Sequence, residues 1–173
     1  MTRPLFACAI VFCAFASFEG QALAQTRESE IGLSAGSGLS LGGTGSADVA
    51  SHRTPLFLDL SARTSVDEAP TLAWGGSLRL ELEGRTSVGI VPRFEVERGL
   101  GPIALRPQFG IPFFFAPFTL LGVEAGLCAR FPKSGALAVH GSLLVDAYPF
   151  GSDVPKGSAL TMVNLLFGVL FDV

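Results

Sequence analysis

The sequence predicts an all-β fold, an eight-stranded antiparallel up-and-down barrel, and three observations carry that prediction. Apolar residues recur at every second position in eight segments. Short stretches rich in glycine, proline and aspartate separate those segments. The positions between the apolar ones hold small residues and a few charges. The stretch "GSLRLELEG", residues 76–84, shows the pattern in miniature: Leu78, Leu80 and Leu82 fall on one side of an extended chain, and Ser77, Arg79, Glu81 and Glu83 on the other. Period-two runs at short, regular spacing point to a sandwich or barrel, and helical spacing fits none of them as well.

The first 24 residues read as a secretory signal peptide, outside the fold. Arg3 supplies a positive n-region, Leu5 to Phe18 an apolar run, and Ala22-Leu23-Ala24 a small-x-small cleavage pattern before Gln25. Neither Cys8 nor Cys13 sits in a context suited to lipid attachment. The mature domain, residues 25–173, is then 149 residues (173 minus 24), one domain by length. It keeps a single cysteine, Cys128, so no internal disulfide forms.

Eight strands follow in order. The first, about Glu30–Gly42, carries Ile31, Leu33, Ala35, Leu39 and Leu41 on one face. The second, about Pro55–Arg63, carries Leu56, Leu58, Leu60 and Ala62. The third, Thr71–Glu83, adds Leu72 and Trp74 to the three leucines above. The fourth, Thr86–Glu97, shows Val88, Ile90, Phe94 and Val96, and the fifth, Ile103–Phe113, shows Ile103, Leu105, Phe109, Ile111 and Phe113. The sixth, Phe118–Phe131, shows Leu121, Val123, Ala125, Leu127 and Phe131. The seventh, Leu137–Pro149, shows Leu137, Val139, Leu143 and Val145, and the eighth, Leu160–Val173, alternates from Val163 to Val173. The connections "VDEAP", "EG", "RGLGP", "PKSG" and "GSDVPKG" are short turn formers, so neighbours pair as hairpins. Pro92, Pro107 and Pro112 fall inside strands, where they mark bulges or strand ends.

The polarity of the two faces decides which one meets water. The face opposite the apolar one is dominated by glycine, serine and alanine, from Gly32 and Ser34 to Ser142 and Gly168. Small residues suit a cramped barrel interior. The only lysines, Lys133 and Lys156, sit in turns, whereas a wet sheet edge or surface favours lysine. The charges on this face are Asp59, Arg63, Arg79, Glu81, Arg93, Glu95, Arg106, Glu124, Arg130 and Asp146, five arginines and five acids. Such a set pairs within a closed lumen. The leucines then face lipid, and the barrel is transmembrane. Eight strands of about ten tilted residues cross an outer-membrane apolar band, and the chain has the length for them. An eight-stranded barrel is filled by its own side chains and does not conduct freely. Charged residues are 16% of the chain and the net charge is −3, which excludes nucleic acid as a partner.

The pattern resembles the small eight-stranded outer-membrane β-barrels, the OmpA-type transmembrane domain and its relatives, over almost the whole mature chain. The C-terminal "GVLFDV" places Gly168, Phe171 and Val173 as Gly-x-x-apolar-x-apolar, similar to the insertion signal of such barrels. It departs from that signal in ending on valine and in carrying Leu166 where a polar residue is common. The resemblance implies the bacterial outer membrane as location after signal-peptide removal, outer-membrane lipid as surroundings and the barrel-assembly machinery as partner. The aromatic girdle is atypical: one tryptophan and one tyrosine, with Phe113, Phe114, Phe115 and Phe118 clustered at one hairpin. Those phenylalanines read equally as a hairpin tip and as an interface anchor.

Candidate chemistry is thin. His140 and Ser142 share a strand face, and some small outer-membrane barrels that deacylate lipid A carry a His-x-Ser pair with a later acid, here Asp153. The asparagine that follows the serine in those enzymes is Leu143 here, and the register points His140 inward. "GGTGS" at 42–46 lacks the lysine of a phosphate loop. His52, His140 and Cys128 lie too far apart in sequence for a metal site, so no cofactor is expected. The sequence therefore predicts a non-catalytic outer-membrane barrel with a structural or envelope-interaction role. A soluble periplasmic barrel holding an apolar ligand, as lipocalins do, is one alternative, and the deacylase is another.

Overall fold

The computed structural model describes residues 29–41, 51–66, 69–83, 86–152, 154 and 159–173. The signal segment 1–24, the glycine-rich 42–46, Asp153 and Lys156 lie outside the described residues. Among the described residues eleven strands follow one another: β1 Ser29–Leu41, β2 Ser51–Arg53, β3 Phe57–Val66, β4 Ala69–Glu81, β5 Val88–Val96, β6 Arg98–Leu100, β7 Ile103–Gly110, β8 Phe113–Ala116, β9 Leu120–Phe131, β10 Leu137–Gly151 and β11 Leu160–Asp172. No helix occurs among the described residues.

Eight staves close into an antiparallel barrel: β10, β11, β1, β3, β4 and β5, then β7 with β8, then β9, which pairs back onto β10. The two extra strands lie at the rims. β2 pairs with the end of β1, and β6 makes a small hairpin with β7 around Gly101, which has a positive φ of 61°. That conformation favours glycine. The first and last staves lie side by side from Glu30↔Asp172 to Leu41↔Thr161.

Most stave ends lie one to three residues from the sequence expectation, Pro92 and Pro107 sit inside β5 and β7 with no break in register, and two staves differ in form. The fifth stave, read as continuous from Ile103 to Phe113, is β7 and β8, with Ile111 and Pro112 between them and an extension to Ala116. Proline has no N–H to give the ladder. The register passes through the break intact, from Gly110↔Glu124 to Phe113↔Leu121, and the Pro112 carbonyl accepts from Gly122 N–H at 3.0 Å. The seventh stave runs on to Gly151, with a bulge between Ala147 and Phe150.

Burial alternates along the staves as the residues do. Leu33, Trp74, Phe94, Phe109, Leu127, Val139, Leu143, Leu165 and Phe167 are exposed on the outer wall. The charged residues of opposite parity are the buried ones: Arg79, Arg106, Glu124 and Asp146 are at most 2% exposed. Polarity is thus inverted relative to a soluble barrel. The inner face is not uniformly polar, however, which corrects the sequence reading. Phe57, Leu144 and Leu166 form one buried apolar cluster, and Phe114, Leu120 and Tyr148 form another toward the end opposite the termini. The four-phenylalanine hairpin is therefore split. Phe114 turns inward, where a Cβ on Gly89 would meet its ring at 2.7 Å, while Phe115 faces out.

Candidate functional site

The charged interior is the site, and strand alternation builds it. Each stave contributes inner-face side chains at every second residue, and the register decides which of them meet. Asp59 on β3 lies directly opposite Arg79 on β4, and Glu30 on β1 opposite Arg63 on β3.

The central cluster holds Asp59, Arg79, Arg93, Glu124 and Asp146. Arg79 donates from Nη2 to Glu124 Oε2 at 2.7 Å and to Asp59 Oδ2 at 3.2 Å. Arg93 donates from Nε to Glu124 Oε1 at 2.6 Å and from Nη2 to Asp59 Oδ2 at 3.0 Å. Asp59 and Glu124 thus each bind both guanidinium groups. Ser77 Oγ adds a bond to Asp59 at 3.0 Å, and the Arg79 guanidinium stacks on the Phe57 ring at 4.9 Å. Bonds between ionised partners are about twice as strong as neutral ones.

The second cluster lies toward the termini. Glu30 accepts from Arg63 Nε at 2.8 Å and from Arg106 Nη1 at 2.8 Å, and it lies 3.4 Å from Arg130 Nε. Arg106 Nε reaches Glu97 at 2.9 Å, and Glu95 lies 3.7 Å from Arg63 Nη1. Arg130 binds Asp172 at 2.8 Å and the carbonyl oxygens of Lys133 and Gly135 at the β9–β10 turn.

Of the ten charges named from sequence, Asp59, Arg79, Arg93, Glu124 and Asp146 meet in the centre, and Arg63, Glu95, Arg106 and Arg130 meet toward the termini. Glu81 takes the Ser87 hydroxyl instead of an arginine. Three participants are additional: Glu30, Glu97 and Asp172. Glu30 shares its parity with Gly32 and Ser34, which is the signal that locates it. With these three the acids outnumber the arginines, so the five-to-five balance read from sequence does not describe the interior.

Between the clusters lies a cavity of about 40 Å³, lined by Arg93, Glu95, Arg106, Cys128, His140 and Ser142 among others. That is room for water and not for an acyl chain. His140 Nδ1 lies 3.4 Å from Ser142 Oγ and 3.6 Å from Cys128 Sγ. Both members of the His-x-Ser pair therefore face the interior. Gly168 has an inward role: a Cβ there would meet His140 Nε2 at 2.7 Å and Ser34 Cβ at 2.5 Å. Phe171 and Val173 are exposed at the other end of the same motif.

Outside the barrel wall, Arg53 on β2 pairs with Glu83 beyond the end of β4. Hydrogen bonds from Arg53 and from Leu56 N–H hold the Glu83 carboxyl below its ordinary range.

No protein-family model matches the sequence, and no curated protein does. Among solved structures, the chain is similar to Neisserial surface protein A (NspA), with a TM-score of 0.61 at 10% identity, covering 86% of this chain and 100% of that one. It is also similar to a major outer membrane protein from Thermus thermophilus, with a TM-score of 0.46 at 15% identity, covering 84% and 99%. The first likeness shows a shared fold. At a TM-score below 0.5 the second is too loose to bear on it.

Proposed function

We propose that this chain is an integral outer-membrane β-barrel with a closed, charge-paired lumen, and that its role is structural or in envelope interactions, without catalysis. The inverted polarity carries the reading: a belt of leucine, valine and phenylalanine covers the outside while arginines and carboxylates neutralise one another within. Such a belt exposed to water would aggregate. Strands of about ten residues rising ~3.3 Å each, tilted near 45°, span roughly 23 Å, close to the ~25 Å apolar band of such membranes. The resemblance to a surface protein of similar fold agrees with this setting.

The interior speaks against a lipocalin-like role, because charges and two apolar clusters occupy it, and the cavities they line, of about 40 and 10 Å³, are of water size. It also speaks against lipid A deacylation, because His140 and Ser142 point where no membrane ester reaches. The ends of β11 fit recognition by the assembly machinery through Gly168, Phe171 and Val173.

Two measurements test the membrane reading. In unheated detergent gels the chain runs as a compact form that boiling converts to a slower one. Trp74, the only tryptophan, is half exposed on the outer wall, so brominated lipid quenches its fluorescence. A monomer that is soluble without amphiphile and whose tryptophan is indifferent to lipid would refute the proposal.

A further inference from the structure

The central cluster contains one carboxyl group too many. Two guanidinium groups, Arg79 and Arg93, face three carboxyls, Asp59, Glu124 and Asp146, and all five side chains are at most 9% exposed. Asp59 and Glu124 take bonds from both arginines. Asp146 receives only a 3.3 Å contact from Arg79 Nη1 and a 2.9 Å bond from the neutral amide of Asn164, both at Oδ2. Its other oxygen, Oδ1, is buried with no hydrogen-bond partner among the described residues. Asp146 also stands directly across the β9–β10 ladder from Glu124, with its carboxyl within hydrogen-bonding reach. Like charges in that position repel, and a buried ion without compensation is costly.

We infer that this centre is a binding site for one proton, held on Asp146 and shared with Glu124. Protonated at Oδ1, Asp146 becomes a donor, and the Glu124 carboxylate is its acceptor. The cluster then counts two positive and two negative charges. The titratable, charged and amide groups that face Asp146 are Asp59 from β3, Arg79 and Glu81 from β4, Arg93 from β5, Glu124 from β9, Tyr148 on β10 itself and Asn164 from β11, and of the carboxyls among them Glu81 alone stands outside this count. Glu81, at the rim, is engaged by Ser87. The inference rests on the closed lumen and not on what surrounds the barrel.

The test uses the mature chain refolded in detergent, with the folded state established first by the gel-mobility shift. At neutral pH the wild type shows the infrared carbonyl stretch of a neutral carboxylic acid, and Asp146→Asn abolishes it. Asp146→Asn, which replaces a neutral acid by a neutral amide, keeps the thermal midpoint of the wild type. Glu124→Gln, which strips an acceptor from both arginines, lowers it. Equal losses in the two variants, or a wild-type spectrum without the acid band, overturn the inference. So does a midpoint that falls when sodium is replaced by choline, because the compensating charge is then a metal cation. Should Asp146→Asn fail to fold, the same band is read in wild type labelled with carboxyl-13C aspartate, where one shifted aspartic acid supports the inference and only ionised aspartates refute it.

Discussion

Two like-charged pairs face each other across ladders inside this barrel, and their surroundings differ. Glu30 and Asp172 oppose one another between β1 and β11, toward the termini. Arg130 stands near both, 3.4 Å from Glu30 and 2.8 Å from Asp172, and the Asp172 side chain is 40% exposed. Glu124 and Asp146 oppose one another between β9 and β10, at 0% exposure each. Arg79 reaches both of these too, but it is already shared with Asp59. At the rim, water reaches Asp172, and Arg63 and Arg106 join Arg130 around Glu30, so the repulsion is settled. In the centre there is no spare arginine and no bulk solvent. The same arrangement of residues therefore requires different chemistry at two depths.

Substitutions break or sharpen this contrast in graded fashion. The largest effect belongs to Arg79→Met, which leaves Asp59, Glu124 and Asp146 with one guanidinium. Removing one partner of a buried ion cluster costs about 3–5 kcal/mol. A lowered denaturation midpoint in detergent, or absence of the compact band, is the expected result. Glu30→Gln comes next, at about 1–3 kcal/mol, since it weakens the bonds from Arg63 and Arg106 but leaves Glu97 and Asp172 in place. Gly168→Ala costs at least as much through overpacking, about 1–3 kcal/mol, because the added Cβ runs into the Leu33 carbonyl oxygen and Ser34 Cβ as well as His140, so trimming His140 to alanine in a double variant does not restore the wild-type midpoint. Asp172→Asn has a smaller effect, under ~1 kcal/mol, and high salt abolishes the difference from wild type. Glu83→Gln marks the floor, with no change in midpoint, since the pair with Arg53 lies in solvent. Its sign is still measurable. The Glu83 carboxyl is lowered, so the pair persists at neutral pH and is lost only as acid is added past that lowered value. A carboxyl NMR titration follows it, and an Arg53→Gln variant moves the group up toward its ordinary range, with the Leu56 N–H still holding it down.

Much of this was legible in the chain because alternation is a local property. Leu78, Leu80 and Leu82 declare the outer wall with no knowledge of any neighbour, and Arg79 between them is assigned inward by the same step. What meets Arg79 is not local. Glu124 is 45 residues away, and Asp146 is 67, and both contacts depend on shear between staves that turns and bulges set. Glu30 was hidden for a different reason: it is the second residue of the first strand, where alternation has barely begun. Leu144 and Leu166 have inner parity yet are apolar, so a reading by polarity alone passes over them. Their place becomes clear only when Phe57 on β3 and Leu166 on β11 meet over Gly36 of the stave between them and cluster with Leu144.

The last residue of the chain donates its N–H to the carbonyl of Ser29 at 2.9 Å, so the described polypeptide comes close to being a ring. A linker of a few residues between these ends, with a new opening in the β4–β5 connection, yields a circular permutant with every stave and every interior contact retained. In that permutant Gly168, Phe171 and Val173 sit mid-chain. It separates the information that shapes the barrel from the insertion signal proposed for that motif: refolding in detergent proceeds, and loss of delivery in the cell is the result expected if the proposed signal must be terminal to be read.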